Sequence, residues 1–141
     1  EVVRRVVEVN LTGALLCARR AVQVMEPGGV VVNVSSAAAT LGSAHEYVHY
    51  AAAKAGVDAL TVGLAQEVAG RGIRVNGVAP GIVRTDLHAA AGDPGRAARL
   101  AASVPMGRVG EPDEIAAAVV WLLGDDCPYL TGATLRVAGG R

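Results

Sequence analysis

Phenylalanine is missing from this 141-residue chain, and lysine occurs once, at Lys54. Tryptophan also occurs once and tyrosine three times, so a core has to be built from Val, Ile, Leu and Ala. No apolar run approaches the roughly 20 residues that a membrane-spanning helix requires. The run 116–123 is among the longest. Neither charge sign is in excess, since 13 basic and 13 acidic side chains cancel. That balance removes the electrostatic case for nucleic acid or an anionic membrane as partner. Arg4, Arg5 and Glu8 interrupt any apolar run at the start, so no secretory leader is read there. Cys17 and Cys127 lie far apart and lack metal-ligand spacing, the usage expected of reduced thiols in the cytoplasm. His45, His49 and His88 have no Cys or carboxylate partners at ligand spacing, so no metal is expected.

What is present is a chain that is 52% apolar and rich in glycine and alanine, with the length of one domain. It opens at Glu1 inside a helical pattern, so residues 1–141 are expected to form a single partial domain. Apolar residues recur at steps of three and four from Val2 to Val22, which predicts one long helix ending before Pro27-Gly28-Gly29. Val30 to Val34 is short, β-branched and apolar on both faces, as a buried parallel strand should be. A polar loop over 35–46 leads to a second long helix over 48–69. In that helix Ala51, Ala55, Ala59 and Gly63 form a small-residue stripe suited to packing against a sheet or a partner subunit. Ile73 to Val78 predicts a second strand, broken by Ala79-Pro80-Gly81. Short helices are expected within 85–102, a helix opening at Glu111-Pro112-Asp113-Glu114 and running to Leu123, and a third strand over 133–137. Strands alternating with helices imply an α/β fold with a parallel sheet.

The chain's other twelve basic residues are all arginine. Lys54 therefore stands out, and it lies four residues after Tyr50, on the same helix face. A compact ammonium beside a phenol favours the phenolate, so Tyr50 is expected to have a pKa pulled down from about 10, as suits a general acid/base. Ser36 lies fourteen residues before Tyr50, at the carboxyl end of the first strand, where open parallel sheets bind ligands. A serine hydroxyl there can donate to a carbonyl oxygen. Ser35 competes with it, and strand alternation alone does not separate the two. Asn10 adds a polar side chain to the first helix. Tyr47 and His49 are expected at the edge of the substrate cleft.

Taken together, Asn10, Asn33-Val34-Ser35-Ser36, Tyr50-Ala51-Ala52-Ala53-Lys54-Ala55-Gly56, Ile73-Arg74-Val75-Asn76, Pro80-Gly81-Ile82-Val83-Arg84-Thr85 and Thr131-Gly132 resemble the short-chain dehydrogenase/reductase family over the whole chain. The resemblance implies the C-terminal part of a Rossmann-type, doubly wound parallel sheet with three strands and flanking helices. It implies hydride transfer between NAD or NADP and a small-molecule alcohol or ketone, in a homodimer or homotetramer. By position Tyr50 is the acid/base, Lys54 lowers its pKa and binds the nicotinamide ribose, Ser36 holds the substrate oxygen, and Asn10 anchors a relay water. Pro80, Gly81, Ile82 and Thr85 match the segment along the nicotinamide. The chain departs from the pattern in three places. The Ser36–Tyr50 interval is one residue longer than the commonest spacing, Ala138 replaces a frequent Asp, and no Gly-x-x-x-Gly-x-Gly loop occurs. That last departure supports a second reading, a truncated relative that oligomerises or binds without turnover.

Overall fold

The computed structural model describes residues 1–87 and 92–141. His88 lies outside the described residues. The helical elements are α1 (Val2–Val7), α2 (Gly13–Val24), α3 (Ala38–Leu41), α4 (Val48–Val68), α5 (Arg96–Leu100) and α6 (Pro112–Leu123). The strands are β1 (Val30–Val34), β2 (Arg74–Pro80) and β3 (Thr134–Val137). The strands form one parallel sheet in the order β1-β2-β3, with Val30 opposite Arg74 and Gly77 opposite Thr134. Parallel neighbours need a crossover, and α4 supplies the first and α6 the second.

Side-chain alternation along the strands builds a layer on each face. Val31 and Val75 pack with Val22, Ala65, Val68 and Ile73 beneath α2 and α4. Val32, Val78, Leu135 and Val137 pack with Leu122, Ile115 and Val119 of α6. The sheet is thus covered on both sides, which explains why its strands are apolar on both faces.

Three expectations are corrected in detail and a fourth is narrowed. The first helix is not continuous, because Glu8–Thr12 forms a π-helical turn between α1 and α2. Such one-turn insertions concentrate at functional positions, and Asn10 lies in this one. The polar loop after β1 contains the short helix α3, closed by Gly42 in the left-handed region. Strand β2 runs through Pro80 rather than stopping before it. Its pairing with β1 ends at Val78, and Pro80 takes part through its carbonyl, which accepts from the Ala37 amide at 2.9 Å. Finally, of the two neighbours suited to the small-residue stripe, the sheet side receives only Ala51. The buried face of α4 is Ala51, Ala53, Val57, Thr61, Ala65 and Val68, and Ala55, Ala59 and Gly63 are exposed.

Arginines close several elements. Arg71 donates to the Val22 and Met25 carbonyls at the end of α2 (2.7 and 2.9 Å), and Arg74 to those of Leu122 and Gly124 at the end of α6 (3.0 and 2.7 Å). Helix C-termini leave such carbonyls unpaired and favour cations. At the start of α6 the Glu114 carboxylate accepts from the Glu111 amide at 2.8 Å and from Arg108, which holds its pKa well below 4.5, at about 2. The Thr131-Gly132 pair ties β2 to the approach of β3. Thr131 Oγ1 accepts from the Val75 amide at 3.0 Å, and the Gly132 amide donates back to the Val75 carbonyl at 2.7 Å. Gly132 has φ +78, which glycine adopts without strain.

The polar contact between β1 and α4 is buried. Asn33 Nδ2 donates to Thr61 Oγ1 at 2.9 Å, and Thr61 donates onward to the Val57 carbonyl at 2.9 Å. Thr61 is 0% exposed, so Thr61→Val should strand the Asn33 amide and destabilise the fold by about 1–3 kcal/mol. Chemical denaturation measures this. An unchanged midpoint and slope would show that the contact is dispensable.

Candidate active site

Three side chains meet where β1 ends. The sequence left Ser35 and Ser36 equivalent, and the backbone separates them. Ser35 continues the face of Val31 and Asn33 towards α4, is 3% exposed, and donates from its hydroxyl to the Lys54 carbonyl at 3.2 Å. Ser36 follows the turn into α3. Its Oγ accepts from the Ala38 amide at 3.2 Å, and its hydroxyl is near enough to the Tyr50 phenol to pull that group's pKa down.

Tyr50 lies in the first turn of α4, with its amide donating to the Tyr47 carbonyl at 3.0 Å. Lys54, one turn later, sends its Nζ 2.9 Å from the Val34 carbonyl. The ammonium lies 5.7 Å from the centroid of the Tyr50 ring. The expected drop in the Tyr50 pKa is not observed. Burial raises it above the usual 10, and the Ser36 hydroxyl only partly opposes this. The physical reason is that Lys54 is drawn to Val34 and stands over the ring rather than at the phenolic oxygen. Burial lowers the pKa of Lys54 itself, with Asp58 pulling the other way.

Gly56, the last residue of the quoted helix motif, now has a physical reason. A Cβ placed on it would come 2.8 Å from Leu11 Cδ1, so glycine lets the π turn lie directly on α4. Asn10, in the same turn, donates from Nδ2 to the Val6 carbonyl at 3.1 Å.

An open cleft of about 250 Å³ lies at the carboxyl ends of β1 and β2, and Ser36, Tyr47, Pro80, Gly81, Ile82 and Arg96 are among its lining residues. Gly81 is required there because a Cβ would meet the Ala138 Cα and Cβ at 2.8 Å. Its amide donates to the Val137 carbonyl at 2.9 Å. Thr85 is exposed and outside the lining, as is His49, which is half-buried. Sequence reading missed Glu46 and Arg96, which sit together at the cleft 50 residues apart in the chain. No local signal marks a contact of that range. Among the described residues no three His, Cys, Asp or Glu side chains are grouped to hold a metal, and no helix is long and apolar enough to cross a membrane.

A family model described as enoyl-(acyl carrier protein) reductase matches residues 1–141. The chain belongs to the short-chain dehydrogenase/reductase family. An uncharacterized oxidoreductase of Escherichia coli, YgfF, is 49% identical over 146 residues, covering 100% of this chain and 59% of that protein. The 3beta-hydroxysteroid dehydrogenase 1 of Eggerthella lenta is 45% identical, covering 97% and 54%. The 3-oxoacyl-[acyl-carrier-protein] reductase FabG of Vibrio harveyi is 51% identical, covering 79% and 45%. This short-chain dehydrogenase/reductase chain therefore spans about half the length of the curated relatives it matches. Among solved structures, a metagenomic blue fluorescent protein in complex with NADPH superposes with a TM-score of 0.85 at 33% identity, covering 94% of this chain and 53% of that one. A Serratia marcescens short-chain dehydrogenase/reductase mutant gives 0.88 at 31%, covering 98% and 56%. These neighbours agree with the parallel three-stranded sheet and its helices on both faces.

Proposed function

We propose that this chain carries the proton-transfer side of an NAD(P)-dependent oxidoreductase that interconverts an alcohol and a ketone on a small molecule. One observation carries the reading. The half-buried Tyr50 phenol stands beside Ser36, with the only lysine over its ring, next to a cleft at the strand ends. Relatives named as reductases and dehydrogenases, and a structural neighbour bound to NADPH, support it.

A nicotinamide cofactor supplies or accepts the hydride when bound. Pro80, Gly81, Ile82 and Thr85, with Tyr50 and Lys54, would hold its nicotinamide and ribose. The glycine that keeps the strand end bare beside Ala138 suits a flat ring approaching the backbone. Ser36 donates to the substrate oxygen. Burial raises the Tyr50 pKa from its ordinary value, which favours the neutral phenol, the form that protonates a ketone oxygen. In the reverse direction the phenolate takes the alcohol proton, and the Ser36 hydroxyl stabilises that phenolate. Lys54 adds positive charge over the ring, and Asn10 orders a relay water. The rate of alcohol oxidation therefore rises with pH towards the Tyr50 pKa, and Ser36→Ala should move that limb to higher pH.

In the protein carrying this sequence, Tyr50→Phe should lower kcat for NADPH-dependent reduction of a 3-oxoacyl thioester by about 10²-fold or more, with NADPH affinity held within a few-fold. Lys54→Ala should impair both. Ser36→Ala should lose roughly 10–10²-fold in kcat/KM, more than Ser35→Ala. A Tyr50→Phe protein with near-normal kcat contradicts the assignment. An unmodified protein that reduces neither this substrate nor an oxosteroid supports the non-catalytic module instead.

The same reading assigns the exposed stripe Ala55, Ala59 and Gly63, with Leu15, Leu16 and Val62 nearby in the helical layer, to contact with a second copy. Small residues let helices approach closely, and apolar side chains left exposed together mark interaction surfaces. Sedimentation should show a dimer or tetramer, and Ala59→Arg should dissociate it. A monomer at micromolar concentration overturns this.

A further inference from the structure

The cleft beside Tyr50 is walled by a side-chain cluster that the scheme above leaves unused. Arg96, at the start of α5, donates from Nη1 and Nη2 to the two carboxylate oxygens of Glu46 at 3.0 and 2.5 Å. Nη2 also donates to the Tyr47 hydroxyl. The guanidinium carbon lies 4.9 Å from the centroid of the Tyr47 ring. Arg96 thus bridges Glu46 and Tyr47, and its side chain is only 13% exposed. The planar fork of arginine makes this possible, because it spans both carboxylate oxygens while its face stays on the aromatic ring.

The place of Tyr47 gives the cluster its consequence. Tyr47 precedes α4 as its N-cap, and its carbonyl accepts from the amides of Tyr50 and Ala51 at 3.0 and 3.1 Å. Its ring meets that of Tyr50 edge-on, with centroids 5.5 Å apart and planes at 88°. The loop that delivers Tyr47 passes through the left-handed region at two non-glycine residues, Ser43 (φ 48) and His45 (φ 64). Such conformations persist when the surroundings over-determine them. Arg96, arriving from a distant segment, provides that external hold.

We infer that Arg96 is a positioning residue for Tyr50: locked to Glu46, it presses the Tyr47 ring against the Tyr50 ring and keeps the phenol in its half-buried seat beside Ser36. This rests on the reading of Tyr50 as the acid/base, yet it can be tested without turnover. The chain has three tyrosines, and Tyr129 is fully exposed, so ring-¹³C-tyrosine NMR gives two site signals and an internal reference. Across about pH 7–12, Tyr50 should titrate above the ordinary phenol value of about 10. Arg96→Met should release Tyr47, admit water, and lower the Tyr50 midpoint by at least half of that gap. Loss of a cation alone acts in the opposite direction, raising a phenol's pKa, so a fall reports loosening.

Arg96→Lys keeps the charge without the fork. It should also lower the Tyr50 midpoint, and it decides the matter if the Met variant does not fold. With the 3-oxoacyl thioester, both variants should lose about tenfold in kcat while KM for NADPH stays within twofold. A Tyr50 midpoint that is unchanged or raised in the folded variants overturns the inference. An unmodified protein that shows the high Tyr50 midpoint but reduces no ketone removes the proposed reaction, and the titration still decides what Arg96 does.

Discussion

The site depends on a reciprocal tie between β1 and α4. Lys54 Nζ donates to the Val34 carbonyl at 2.9 Å, and Ser35 Oγ donates to the Lys54 carbonyl at 3.2 Å. One residue of the helix is thereby held at both ends by the last residue of the strand and the one that follows it. The tie fixes the height and rotation of the first turns of α4, and Tyr50 is carried to its place by that helix. It also uses Ser35 as structure, which leaves Ser36 to face the phenol. A carbonyl at the strand end is satisfied by an ammonium where water would otherwise be needed, in keeping with the rule that buried backbone groups find partners.

The division of labour between arginine and lysine follows from the same geometry. Arg71 and Arg74 each bridge two carbonyls at a helix end, and Arg96 and Arg108 each span two carboxylate oxygens. Those are tasks for a rigid planar fork. Lys54 reaches one carbonyl past the face of an aromatic ring, in a space where burial already disfavours charge. A broader guanidinium does not suit that single-point contact.

Much of the scaffold was legible in the sequence because it depends on local patterns. β1 is a β-branched run preceded by two glycines and followed by two serines, α4 a long apolar-periodic segment, and α6 a helix announced by Pro112 and acidic residues in its first turn. What was illegible depends on which face meets which neighbour. The every-fourth stripe from Ala51 suited either the sheet or a partner subunit, and its spacing could not tell that the sheet takes the face of Ala51, Val57, Thr61, Ala65 and Val68. The choice between Ser35 and Ser36 required knowing that Val31 and Asn33 point towards α4. The effect of Lys54 on Tyr50 was misread because spacing on a helix gives proximity but not the competing attraction of the Val34 carbonyl. The π turn at Glu8–Thr12 and the Glu46–Arg96 pair have no sequence signature at all, since both arise from tertiary packing.

In the proposed reaction Ser36 and Tyr50 serve one reacting oxygen as a unit held by the β1–α4 tie. A double-mutant cycle in kcat/KM, comparing Ser36→Ala, Tyr50→Phe and the combined variant, tests it most directly. If the two hydroxyls serve one oxygen, the combined loss should be no larger, within about threefold, than the greater of the two single losses. A combined loss equal to the product of the single losses would show independent action and contradict it.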